Sequence, residues 1–338
     1  MKSPVKAGFA SVNDRIVEAI SPKALMAAVD MRLFDVIEGR AVALDELARE
    51  LGLVALRLEP FLDVMAALGL LSREGERYAN TPLASEYLVT TAPLYQGDYL
   101  WMTMGFAMSI EKDIAGLLAG AEVDRAGTDL GWSMEKGMEG TAQSARWSGM
   151  NAVADVAAAL PGFDGFRTMC DIGGNHGLYT LGVLERNANM RGVIYDLPAV
   201  AEQARLRWEK LGVGDRMEAV ELDFREGTLP EGRYDLALTS HVLYAFKDDL
   251  GGALCRIAHA LKPGGWFISH HYSGRCEPGC ELHKASLELL TRLAGYASHF
   301  IDHDEIRAAL IDAGFEEPRF SAVPGRAAGL VTAARKAG

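Results

Sequence analysis

The chain has 338 residues, 49% of them hydrophobic and 24% charged, enough for two domains with a sizeable core. Its formal net charge of −12 speaks against nucleic acid and against an anionic membrane surface, which attract clustered Lys and Arg. Four cysteines suggest no disulfide scaffold, the opening "MKSPVKAGFASVNDR" lacks the apolar core of a signal peptide, and the longest apolar stretch, Tyr99 to Ile110, falls short of the ~20 residues that span a bilayer; a cytoplasmic, reduced protein is expected.

Residues 14 to 38 carry apolar side chains at helical spacing. The next stretch, from "ALDELARELG" to Gly69, reads as helix, turn and longer helix, and "LLSREGERYAN" as a hairpin with Glu74 and Gly75 at its tip. Together they form the pattern of a winged helix-turn-helix, a fold that often reads DNA. The candidate recognition helix, however, presents Glu59 and Asp63 rather than a basic face, so it is expected to be buried in a dimer interface. The first domain is placed at 1–92. Residues 93–160 read as helices able to roof a pocket.

Residues 161–338 alternate strand and helix. The strand candidates are "TMCDIG", "RGVIYDL", "MEAVELD", "YDLALTS", "WFISHHY" and the tail "GRAAGLVTAAR". The alternation predicts a mostly parallel, Rossmann-like α/β sheet with helices on both faces. Ligands of such sheets bind beyond the carboxyl ends of the strands. The first strand ends in Asp171-Ile172-Gly173-Gly174-Asn175-His176-Gly177, a glycine-dense turn leading to a helix N-terminus. The second ends at Asp196-Leu197, about 20 residues on, where a ribose-binding acid is usual. The third ends at Asp223-Phe224, a carboxylate beside an aromatic platform. The fourth ends at Thr239-Ser240-His241. The acids could also serve only to cap helices. Acids at three successive ends suit a cationic ligand such as S-adenosylmethionine better than a pyrophosphate dinucleotide, which sets a dehydrogenase aside. His176 reads as a substituted residue of an exposed turn.

The pieces "CDIGGNHG", "IYDLPAV", "ELDFREGTLPEGRYDL", "SHVLYAFKDD", "LKPGGWFI" and "EIRAALIDAGF" follow one another at family spacing. With them the chain resembles the S-adenosylmethionine-dependent O-methyltransferases typified by the caffeate and hydroxyindole (acetylserotonin) enzymes. The winged-helix half resembles that family's dimerisation domain, which implies a homodimer. The resemblance implies a cofactor held against Gly173, Gly174, Asp196, Asp223 and Phe224. The strand ends add Asp171, Gly177, Leu197, Ser240 and His241 to that surround. It also implies a small aromatic or polyketide-like methyl acceptor.

The family's catalytic groups are replaced. Its histidine base falls at Tyr244, whose phenol, ordinarily titrating near ~10, is a poor base. One family carboxylate aligns with His271. The other aligns at or beside Phe300, with His299 and Asp302 near. Three readings follow: His271, or else His299, has become the base of an O-methyltransferase, with His271 favoured and Tyr244 orienting the acceptor; C-methylation proceeds by positioning alone; or the chain keeps the cofactor without methylating. In "AQSARWSGM" an aromatic residue usual in the family is replaced by Arg146, four before Met150 and beside Trp147. A pocket-facing arginine would suit a carboxylate-bearing acceptor. Seven of the eight histidines lie between 241 and 303. Cys276, Cys280 and His283 form a metal candidate, with a plain loop as the alternative and no metal expected.

Overall fold

The computed structural model describes residues 8–111, 113–275, 278–323 and 329–338. The chain divides into two compact units, Met1–Trp101 and Met102–Gly338.

In the first unit come α1 (Gly8–Glu18), α2 (Ile20–Asp30) and α3 (Leu33–Ile37), then β1 (Val42–Ala43), α4 (Leu44–Leu51) and α5 (Ala55–Ala67). The hairpin β2 (Leu71–Glu74) and β3 (Arg77–Asn80), α6 (Pro82–Tyr87) and α7 (Gly97–Glu111), which runs across the division, follow. Glu74 pairs with Arg77, so the hairpin tip is Gly75-Glu76 rather than Glu74-Gly75. Gly75 supplies the positive φ of 62° that a two-residue turn needs. Leu33, Phe34, Ile37, Leu47, Leu62, Met65 and Tyr78 form a closed core. Arg73 on the wing pairs with Glu59 (3.1 Å) and Asp63 (2.7 Å) on α5.

The second unit continues with α8 (Ile114–Leu118), α9 (Arg125–Gly131), α10 (Glu135–Ser148) and α11 (Met150–Ala158). Then strands and helices alternate: β4 (Thr168–Ile172), α12 (Leu178–Arg186), β5 (Arg191–Asp196), α13 (Pro198–Leu211), β6 (Met217–Glu221), β7 (Tyr234–Ser240), α14 (Leu250–Ala260) and β8 (Leu261–Tyr272). After them come α15 (Glu281–Leu293), α16 (His303–Asp312), β9 (Arg319–Val323) and β10 (Gly329–Arg335). The sheet order is β6-β5-β4-β7-β8-β10-β9. Strands β4 to β8 run parallel, and β10 lies antiparallel to both its neighbours.

β9 has no counterpart among the expected strands. It is an edge strand exposed along most of its length, so it lacks the apolar run that marks a buried strand. β8 starts earlier than expected, at Leu261, with a register shift against β7 that absorbs the Pro263-Gly264-Gly265 segment. On one sheet face Phe267, Ala237 and Tyr234 pack against α14 and α16. On the other, Ile268, Leu238 and Met169 pack against α11 and α12. Because both faces are buried, side-chain parity along β8 decides which residues reach which layer.

Candidate active site at the strand ends

Strand β4 delivers the glycine turn as its residues predict. Gly173 (φ +69°) and Gly177 (φ +78°) hold left-handed backbone, and a Cβ on Gly173 would lie 2.5 Å from Val242 Cγ2. Asn175 also adopts positive φ, 43°. Its N–H donates to Asp196 Oδ2 (2.9 Å), and its side-chain amide donates to the Trp132 carbonyl (3.2 Å). His176 is buried, not an exposed loop residue. Its Nδ1 accepts the Leu178 N–H at 3.0 Å, so the imidazole caps the first turn of α12 as an N-cap side chain would. Burial, with the Arg207 and Arg146 guanidiniums, pushes its pKa down to about 3. The turn is therefore held from within.

Asp171 is fully buried. Thr180 donates to its Oδ2 (2.8 Å), while Oδ1 has no partner among the described residues. Burial lifts its pKa to about 7. Asp196 is lifted to about 6 by burial, opposed by the N–H groups of Asn175 and Leu197. Asp223 differs. Arg225 holds it in a two-pronged pair (2.8 and 2.6 Å), which keeps its carboxyl below the usual range, and also reaches Asp129 at 2.9 Å. The Phe224 ring is buried rather than an open platform, edge-on to Phe246 (5.4 Å) and covered by the Arg256 guanidinium at 4.8 Å.

Beyond β7 the chain turns at His241 in positive φ, 54°, and a 3-10 helical stretch, Leu243–Asp249, kinked at Phe246, carries Tyr244. A continuous array of rings follows. His270 lies 5.7 Å from Tyr179 and 4.5 Å from His241; His241 lies 4.6 Å from Tyr272. His299 lies 5.3 Å from Tyr272 and 4.9 Å from Tyr244, near-parallel to both, and Tyr296 meets Tyr244 edge-on at 5.1 Å. Ser240 Oγ and His270 Nδ1 are 3.1 Å apart. Burial pushes His270 and His299 down to about 4, and lowers His241 well below its usual range. It raises Tyr244 far above an ordinary phenol. The array thus consists of neutral rings at neutral pH, an aromatic cluster with a few imidazole nitrogens set into it.

His271 is not part of it. Alternation along β8 sends His270 and Tyr272 to the ring array and His271 to the opposite face, with Phe267 and Ser269. There it is buried, its Nδ1 2.9 Å from Ser269 Oγ and its Nε2 without a partner among the described residues. Its pKa falls to about 3 through burial. His271, expected as the base, therefore lies away from the ring array, because one residue along a strand changes the face.

Arg146 and Trp147 occupy the last turn of α10, and Met150 opens α11. Trp147 is half exposed, and Met150 packs on Gly182 of α12. The Arg146 guanidinium is half-buried beside Arg207 and Glu139. Glu139 is taken by Arg207 at 2.6 Å. Gly149 between the two helices packs directly on His270 and Tyr179. Phe300 is buried and pairs by its backbone with Tyr272, while Asp302 caps α16 through the N–H groups of Asp304 and Glu305, both at 2.9 Å.

Of the metal candidates, Cys276 lies outside the described residues, His283 is exposed on α15, and Cys280 is disulfide-bonded, contrary to the expectation of fully reduced cysteines. Cys170 and Cys255 are free thiols. Among the described residues no cluster of three or more His, Cys, Asp or Glu could hold a metal ion. No helix among them is long and apolar enough to cross a membrane. Sequence reasoning missed Tyr179, Tyr272, Thr291 and Tyr296. Only strand parity could have flagged Tyr272; Tyr179 and Thr291 reach the site through helix packing, and Tyr296 through the segment after α15.

A parallel sheet with one reversed strand, a glycine turn and acids at the strand ends defines a Rossmann-like nucleotide-binding enzyme class. The O-methyltransferase domain profile matches residues 134–316, and the O-methyltransferase dimerisation domain profile matches residues 15–90. The chain belongs to the O-methyltransferase family and is an S-adenosylmethionine-dependent methyltransferase. It is 28% identical over 305 residues to the N,N-dimethyltransferase OxyT of Streptomyces rimosus, covering 87% of this chain and 86% of that one. It is 28% identical over 327 residues to the tetracenomycin polyketide synthesis 8-O-methyltransferase TcmO of Streptomyces glaucescens, covering 90% of each. Human N-acetylserotonin methyltransferase in complex with SAM shares the fold over 100% of both chains, with a TM-score of 0.79 at 21% identity.

Proposed function

We propose that this enzyme methylates a hydroxyl of a flat, polyketide-like aromatic acceptor lying against the ring array. The observation that carries the reading is the run of neutral rings, Tyr272, His299 and Tyr244 stacked and Tyr296 edge-on to them, which favours a planar conjugated partner over an aliphatic one. The cofactor is assigned to the turn Gly173–Gly177 with Asp171, Asp196, Leu197 and Ser240 around it. The unpartnered Asp171 Oδ1 fits such a group, because a buried carboxylate oxygen is stabilised by a cation or a hydroxyl donor. Asp223 would serve the far end of the cofactor only in competition with Arg225. When bound, the sulfonium supplies an electrophilic methyl, and its sulfur keeps the electron pair of the broken bond.

The chain's own residues position the acceptor, exclude water and take its proton. His299 is the proton acceptor in this reading, with Tyr244 stacked on it. The Arg146 guanidinium is set to take a carboxylate on the acceptor. OxyT's N-methylating activity favours a second reading, methylation of a neutral amine, which needs no base before attack. The N-terminal unit is assigned to a homodimer. Phe9, Val12, Ile16, Val17 and Ile20 lie exposed on α1 and the start of α2, at helical spacing, within and beside the stretch that matches the dimerisation profile.

The test is calorimetric titration of S-adenosylhomocysteine, followed by a panel of hydroxynaphthoates, hydroxyquinones and aromatic amines with the methylated atom mapped by mass spectrometry. O-methylated products from the phenols support the reading; methylation confined to amines replaces it with the second. Arg146→Ala is expected to raise KM for carboxylated acceptors about tenfold, with little effect on their neutral analogues. Equal effects on both would remove the arginine's role.

A further inference from the structure

We infer that Thr291 is a positioning residue that fixes the tautomer of His299 and so makes Nε2 the proton acceptor. The inference rests on the methyl-transfer reading above, but its main observable does not. Thr291 sits on α15, buried, two residues before the buried Leu293. Its single hydroxyl makes two close contacts: the Leu287 carbonyl at 2.9 Å, one helical turn back, and His299 Nδ1 at 2.9 Å. A carbonyl oxygen can only accept. The hydroxyl therefore gives its proton to Leu287, and its oxygen lone pair is what remains for the imidazole. A proton lies in both contacts only if His299 carries its hydrogen on Nδ1. The alternative, a Thr291 proton donated to a bare Nδ1, leaves two oxygens facing each other at hydrogen-bond distance without a hydrogen. The relay thus selects Nδ1–H and a lone pair on Nε2.

Other contacts hold the ring in place. The His299 backbone N–H donates to Glu288 Oε2 (3.0 Å), and Ser298 Oγ donates to the same oxygen (3.0 Å). Tyr244 and Tyr272 lie near-parallel to the imidazole at 21° and 27°. Glu288 is one turn before Arg292, which holds it at 2.7 Å. The groups facing His299 are thus two phenols, the Phe300 ring at 5.8 Å, one hydroxyl, a carboxylate at its backbone and, further off, the His241 imidazole. When the acceptor hydroxyl gives its proton to Nε2, the imidazole becomes an imidazolium protonated on both nitrogens. The electron pair left on the acceptor oxygen forms the bond to the methyl carbon. The two phenol rings then lie within cation–π range of the new charge, and the Glu288 carboxylate offsets it. The base has in effect moved from the family position, now Tyr244, to a histidine that stacks upon it, and Thr291 takes over the orienting role of an acid.

The test is nitrogen-15 NMR of the histidine side chains in the full-length protein, without cofactor or acceptor, in wild type, Thr291→Val and Thr291→Ser. Assignment comes from the spectrum that loses one ring in His299→Ala. The expected result is an Nδ1–H tautomer for His299 in wild type and Thr291→Ser, and a mixed or reversed tautomer in Thr291→Val. Turnover with the best acceptor should fall about tenfold in kcat for Thr291→Val, with KM nearly unchanged, and return in Thr291→Ser. An Nε2–H tautomer in wild type overturns the inference. So does a Thr291→Val protein whose tautomer and kcat both match wild type. If Thr291→Val does not fold, the wild-type tautomer together with the Thr291→Ser spectrum decides. If no acceptor is methylated at all, the spectra still decide the tautomer, so the two readings fail separately.

Discussion

Gly173→Ala should be expensive for two separable reasons. The position holds φ +69°, and left-handed backbone costs a residue with a Cβ roughly 1–2 kcal/mol. The new Cβ would also lie 2.5 Å from Val242 Cγ2 and 3.3 Å from Cγ1, against an ordinary carbon contact of about 3.5–4 Å. Overpacking of this kind costs about 1–3 kcal/mol, so the single substitution should lose roughly 2–5 kcal/mol. Val242→Ala deletes both offending methyls and leaves the Val242 Cβ at 3.5 Å, a relaxed distance. The double variant should therefore keep the backbone strain and shed the clash, giving a favourable coupling of about 1–3 kcal/mol. Urea unfolding of the full-length protein, followed by tryptophan fluorescence, measures stability for the four members of the cycle. Titration of S-adenosylhomocysteine into each measures the turn's competence. Strict additivity, or a Gly173→Ala loss below about 1 kcal/mol, would refute the packing argument.

His271→Leu should leave turnover unchanged but cost roughly 1–3 kcal/mol of stability, since it strips the buried Ser269 hydroxyl of its imidazole partner, whereas His299→Ala should lower kcat at least ~100-fold; steady-state kinetics beside denaturant melts separates them, and an inactive but folded His271→Leu would contradict the face assignment. Asp171, lifted to about 7 by burial, binds its proton more tightly folded than unfolded. Its contribution to stability is therefore greatest in acid and drains away as pH climbs from the ordinary carboxylate range, near ~4, to the folded value. Thermal melts should show wild type losing stability relative to Asp171→Asn across that window, and parallel curves would remove the buried-acid reading.

Much of the methyltransferase layer was legible from residue order. "TMCDIG", "RGVIYDL" and "YDLALTS" became β4, β5 and β7 almost to the residue. Each is an apolar run closed by a polar or glycine-rich stop, and a parallel strand buried on both faces leaves just that mark. Glycines at the first strand's end announced a turn, and Asp196 stood at the distance that βαβ geometry sets. The acidic Glu59 and Asp63 spoke against a DNA-reading face, because charge sign belongs to composition and needs no coordinates. β9 was illegible for the converse reason, being short, exposed and without a period.

Tertiary structure alone decided which side chains lie together. "SHHY" contains two histidines that composition cannot tell apart, and the parity of β8, fixed by which neighbours Phe267 and Ile268 find, sent His270 to the ring array and His271 into the opposite layer. His176 looked like a loop substitution and proved to be a buried cap, since what a turn residue does depends on what packs over it. Asp223 read as a free acceptor, yet Arg225, two residues away, closes onto it. Thr291 and His299 are eight residues apart in the chain and meet only because α15 ends and the chain doubles back. Local sequence sets periodicity, stops and charge through interactions within a few residues. Which side chains share a site depends on long-range packing, in which a one-residue offset along a strand reverses the answer.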